Sequence, residues 1–113
     1  MDNNSNVVHP VHYADACSLE CWDVMDLTFG SYNHFYYCLQ NAFKYLWRYK
    51  FKNEEEDVKK AYQYIMRAKA IRDRECSDEN PSVYFSDDEN QRLGKLYDMY
   101  VTASNLYANE KRE

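Results

Sequence analysis

Lys44 and Arg48 stand four residues apart in the stretch NAFKYLWRYKFKNEEEDVKKAYQY, residues 41–64, and Asp57 follows nine residues beyond Arg48. On a helix a four-residue step stacks two side chains on one face, so these cations would present paired donors to a phosphate or another anion. Asp57 falls in the apolar arc of the segment that follows, where a carboxylate needs a partner, and Lys44, Arg48 and Lys60 are the cations in reach. In a phosphoryl-transfer reading Lys44 and Arg48 supply charge and Asp57 or a histidine orients the acceptor, which makes Asp57 and Arg48 the candidate catalytic residues. Upstream, HPVHY at residues 9–13 carries His9, His12 and Tyr13 on an extended segment, because Pro10 restricts both itself and His9. Two imidazoles and a ring can line a pocket for an anion and a base, or they can pin the N-terminus onto the helices. Glu20 and Asp23 share a polar helical face and can pair with one of those histidines or with Lys44 or Arg48. The plain alternative for Lys44 and Arg48 is the solvated face of an amphipathic helix.

Helices must position these residues, since only two glycines and two prolines punctuate the chain and a sheet of this size spends more on turns. The first helix is expected over 19–28, capped by Ser18, stopped by Gly30, and apolar at Trp22, Met25 and Phe29. A second helix over 33–49 places Phe35, Leu39, Ala42 and Leu46 on one stripe, with Tyr37, Asn41, Lys44 and Arg48 on the opposite side. After a connector at 50–53, Asn53 as N-cap and Glu56 at the capping-box position open a third helix, which runs to about residue 74. Its apolar side includes Val58, Ala61, Tyr64, Ile65, Ala68 and Ile71. Ser86 and Glu89 form a second capping box for a last helix to about residue 109, with Leu93, Tyr97, Tyr100, Ser104 and Tyr107 on one stripe. The expected fold is all-α, a compact bundle of about four helices with an extended N-terminal His-Pro segment. Residues 1–8 read as a flexible lead and residues 9–113 as a single helical domain.

A chain of 113 residues is the size of one domain, and its formal charge of −5 disfavours non-specific binding to duplex nucleic acid. Small anions are a different case, because Lys44, Arg48, Lys50, Lys52, Lys59 and Lys60 face only four acids, Glu54 to Asp57, in the same stretch. Twelve tyrosines suit surfaces where a ring packs and its hydroxyl meets water or a partner, which points to a homo-oligomer. No long apolar run and no signal-like N-terminus is present, so the expected location is soluble and cytoplasmic, with no membrane partner. Cys17, Cys21, Cys38 and Cys76 lack a disulfide or zinc-site spacing and read as small buried hydrophobes. With glycines only at 30 and 94, there is no Walker loop and no glycine-rich dinucleotide turn.

Four motifs together, HPVHY at 9–13, ECWDV at 20–24, NAFKYLWR at 41–48 and EDVKKAYQYI at 56–65, resemble the SaV-like group of small, mostly phage-encoded proteins labelled nucleotide kinase. That resemblance spans about half of the chain and implies nucleotide handling, in the host cytoplasm if the protein is phage-encoded. A podophage member of the group acts on deoxynucleoside monophosphates without a Walker loop. On these motifs the implied ligand-binding set is His9, His12, Tyr13, Glu20, Asn41, Lys44, Tyr45, Arg48, Lys60 and Tyr64. No metal-ligand set is implied, and magnesium enters only with a kinase reaction. Gln40 and Lys50 stand where the group usually has glycine, which favours binding over turnover. Three functions follow as expectations: a non-Walker nucleoside monophosphate kinase, a non-catalytic sponge for a nucleotide second messenger of host antiviral defence, and a helical protein-interaction domain.

Overall fold

A computed structural model of the chain describes residues 19–76 and 85–112, which form four helices and no strand. The helices are α1 (Leu19–Phe29), α2 (Ser31–Arg48), α3 (Glu55–Glu75) and α4 (Asp87–Arg112). The all-α expectation and its four helices are therefore observed. The His-Pro segment and the Ser18 cap lie outside the described residues. The chain divides into two compact units, residues 1–30 and residues 31–113.

Within the first unit, α1 ends where Gly30 takes φ +87°, a conformation that L side chains rarely adopt. Its N–H donates to the Asp26 carbonyl at 2.9 Å, the single hydrogen bond of a left-handed C-terminal cap. Trp22 is buried, but Phe29 is 63% exposed, so the expected apolar face of this helix is not a buried face along its whole length. Cys21 is also exposed, against the expectation of a buried hydrophobe, while Cys38 in α2 is fully buried.

The second unit packs α2, α3 and α4 against one another, with the most extensive interface between α2 and α3. Phe35, Leu39, Ala42 and Leu46 are all buried, as a step of three or four residues requires of one helical face. Val58, Ala61, Ile65, Ala68 and Ile71 answer them from α3, and the fully buried Ala42, Ala61 and Ala68 let the helices approach closely. Phe85 closes this core edge-on against Phe35, with ring centroids 5.1 Å apart.

The α4 stripe differs from the expected one. Leu93, Leu96 and Ala103 are buried while Tyr97 is 46% exposed, because the buried line runs one residue to the side of the tyrosines. The capping pair at its start is present: Glu89 accepts from the Ser86 N–H at 2.9 Å and from the Ser86 hydroxyl at 2.6 Å. At α3 the expected cap is absent. Glu54 precedes the helix without a side-chain cap, and Asn53 instead donates to Asp57 through its N–H at 3.3 Å and its side-chain amide at 3.4 Å. Burial of Asp57 is the physical reason, since that carboxylate must collect donors from the connector beside it.

Candidate functional site

The hairpin of α2 and α3 brings together Lys44, Tyr45, Arg48, Asp57, Lys60 and Tyr64. Tyr45 is at its centre, 7% exposed and stacked on Tyr64 with centroids 5.8 Å apart and planes 20° from parallel. Three cations surround the Tyr45 ring: Lys44 Nζ at 4.6 Å, the Arg48 guanidinium carbon at 4.8 Å and Lys60 Nζ at 5.6 Å from its centroid. Part of this is ordinary packing, because long cationic side chains lay their stems along rings and gain a modest cation–π attraction. Three positive groups on one ring nevertheless concentrate charge. The nearby carboxylate Glu56 is 3.9 Å from Lys60 and mostly solvated, with 71% of its side chain exposed.

Asp57 is fully buried and accepts from Arg48 Nε at 3.3 Å and Nη2 at 3.5 Å, in addition to the two Asn53 donors. Burial pushes its pKa up, but the Arg48 and Asn53 hydrogen bonds outweigh that and hold the carboxyl below the usual aspartate range. Both oxygens are thus committed. A proton acceptor or a magnesium ligand needs an open oxygen, so Asp57 does not fit magnesium here and acts instead as the residue that aims Arg48. The Arg48 side chain remains 31% exposed beside its partner.

The other expected site residues divide. Asn41 is half-buried and spends its amide on the Tyr37 carbonyl, 2.9 Å away on the preceding turn. Tyr37 packs edge-on against Tyr64 at 6.0 Å, so it borders the α2–α3 seam rather than the opposite side of the helix from the core. Glu20 lies on α1 and is exposed, as is Asp23. His9, His12 and Tyr13 fall outside the described residues.

Sequence reasoning missed a second polar cluster. Glu89 accepts from the Tyr36 hydroxyl at 2.6 Å as well as from Ser86, and Arg92 donates to the same hydroxyl. Hydrogen bonds from Ser86 and Tyr36 hold the Glu89 carboxyl at about 2, while burial and then Glu89 itself push Tyr36 up to about 12. The capping-box spacing marked Glu89, but nothing in the sequence links it to a tyrosine 53 residues away. A groove of about 360 Å³ between α3 and α4, lined by Tyr62, Ile65, Met66, Leu93 and Tyr97, was not legible either. Its two cations, Lys69 and Arg72, are both paired with Asp73, at 2.9 and 3.0 Å.

Among the described residues no group of three or more His, Cys, Asp or Glu is placed to hold a metal ion, and no helix is long and apolar enough to cross a membrane. Neither a curated protein nor a solved structure matches the chain. One family model does, over residues 7–66, a span that includes all of α2, its connector and the start of α3 with Asp57 and Lys60. The chain belongs to that family, the proteins of unknown function DUF3310.

Proposed function

We propose that this chain is a nucleotide-binding protein that seats a phosphate of its ligand among Lys44, Arg48 and Lys60, beside the Tyr45 ring. The observation that carries the reading is the convergence of three cations from two helices within 4.6–5.6 Å of one ring centroid. Asp57 offsets Arg48 and Glu56 lies 3.9 Å from Lys60, and a ligand phosphate would add a further counter-charge to the cluster. Arg48, held by Asp57, is the pre-aligned member, while Lys44 and Lys60 close on the ligand from either side. The resemblance to the SaV-like nucleotide-kinase group supports a nucleotide as the ligand, and phosphoryl transfer to a nucleoside monophosphate is the corresponding activity.

A second use of the same site is favoured by a specific observation. Phosphoryl transfer asks for cations on the migrating group and for a residue that orients the acceptor. Asp57 has both oxygens engaged by Arg48 and Asn53, which suits binding without turnover, as in sequestration of a nucleotide messenger. Titration calorimetry with nucleoside mono-, di- and triphosphates tests the binding. Affinity should fall by about tenfold or more in Lys44→Ala/Lys60→Ala. Product separation after incubation with a monophosphate, a triphosphate and magnesium tests the chemistry. A new diphosphate that disappears in Arg48→Ala supports the kinase, and a bound, unchanged nucleotide supports sequestration. If the wild-type chain binds none of these nucleotides, the proposal fails.

A further inference from the structure

Residues 43–52 read FKYLWRYKFK, in which rings alternate with cations except at Leu46 and no acid occurs, although the chain as a whole carries a net charge of −5. Three of these rings do not pack inward: Phe43 is 48% exposed, Trp47 69% and Phe51 79%. Phe43 and Trp47, one helical turn apart, lie face to face with centroids 6.0 Å apart and planes 24° from parallel. Lys44, Lys50 and Lys52 are exposed in the same stretch. Phe51 continues the row beyond the helix, where its N–H returns to the Arg48 carbonyl at 2.9 Å and fixes the turn.

We propose that residues 43–52 form a track for single-stranded nucleic acid, with bases stacking on Trp47 and Phe51 while Lys44, Lys50 and Lys52 face the phosphates. Single strands are bound by exposed ring platforms interleaved with cations, because every base has a face to stack and every linkage carries a charge. A duplex hides those base faces, and the acidic remainder of the molecule repels its dense charge. A second copy seated on the same face by two-fold symmetry would bring two sets of Lys44, Arg48, Lys50 and Lys52 together, an opposition of like charges. Exposed Glu54 and Glu56 mark the end of the track at the start of α3. The inference does not rest on the Tyr45 site: the two share Lys44, but Trp47, Phe51, Lys50 and Lys52 belong to the track.

The test is anisotropy of a labelled oligothymidylate of about 12 nucleotides on the full chain, at low and rising salt. Tryptophan fluorescence is read in parallel; Trp22 is buried and Trp47 exposed, so quenching reports the track. Saturable binding should weaken about fourfold for each doubling of salt, as expected for three phosphates on a single strand. It should weaken at least about fivefold in Trp47→Ala. Lys50→Glu/Lys52→Glu should abolish it and leave calorimetric binding of mononucleotides unchanged. Circular dichroism and melting temperature verify that both variants keep the fold. The proposal is overturned if the oligonucleotide does not bind at low salt, or if both variants bind it like the wild type. Self-association that Trp47→Ala removes, without oligonucleotide binding, would overturn it in favour of a contact between copies. Oligonucleotide binding that persists when mononucleotide binding fails supports the track and counts only against the Tyr45 site.

Discussion

Asp57 and Lys44 belong to the same cluster and should respond to mutation differently. Asp57 is fully buried with Arg48 and Asn53 as its donors, so Asp57→Asn removes charge-assisted hydrogen bonds that have no water to replace them. We expect a loss of about 1.5–3 kcal/mol in urea unfolding. Lys44 is exposed and touches the cluster through its place over the Tyr45 ring, so Lys44→Ala should change stability by about 0.5 kcal/mol or less. A large stability loss in Lys44→Ala, measured in the same denaturation experiment, would make that lysine a packing residue and weaken its assignment to a ligand. Arg48 stands between the two, tied to Asp57 yet partly open, and should lose both stability and affinity when truncated.

At the level of elements, the turns carry the strain and the caps carry the pH dependence. Glu54, just before α3, has φ 50° and ψ −121°, a left-handed conformation that costs an L residue energy and a glycine almost none. Glu54→Gly should therefore raise stability by roughly 1 kcal/mol, read as a shift in the denaturation midpoint. Glu89 links α4 to α2 through the Tyr36 hydroxyl, and its carboxyl is held at about 2 against an ordinary value of 4.5. A depressed folded-state value stabilises the fold above the unfolded value and loses that contribution as protons bind. The Glu89 contribution to stability should thus be level above about pH 4.5 and decline between there and about pH 2. In Glu89→Gln, that share of the decline should be missing from denaturation curves collected across the window. The hydroxyls of Ser86 and Tyr36 are the other half of this contact, one local and one from α2.

Across the second unit, the α2–α3 hairpin is both the core and the scaffold of the candidate site. Leu39 and Leu46 are 4% and 5% exposed, and truncating either to alanine leaves a cavity against α3 or α4 that should cost about 2–5 kcal/mol in denaturant unfolding. The apolar periodicity of α2 and α3 was readable residue by residue: Phe35, Leu39, Ala42 and Leu46 face inward, as do Val58, Ala61, Ile65, Ala68 and Ile71. Asp57 was legible as inward-facing too, because a 3.6-residue period assigns a direction to every side chain on a helix. What periodicity cannot supply is the partner chosen across a turn. Lys44, Arg48 and Lys60 were equal candidates for Asp57 until the chain reversal placed the Arg48 fork against it and the two lysines over Tyr45. The same limit explains α4, where a tyrosine stripe and a line through Leu93, Leu96 and Ala103 are neighbouring arcs of one wheel and packing against α2 and α3 selects between them. The amino-acid sequence by itself determined the helical class, the inward faces of α2 and α3 and the local Ser86–Glu89 cap, because those follow from interactions within a few residues. Only the tertiary structure decided the Arg48–Asp57 pair, the three cations on one ring and the Tyr36–Glu89 contact, because each joins residues whose separation is set by how helices meet.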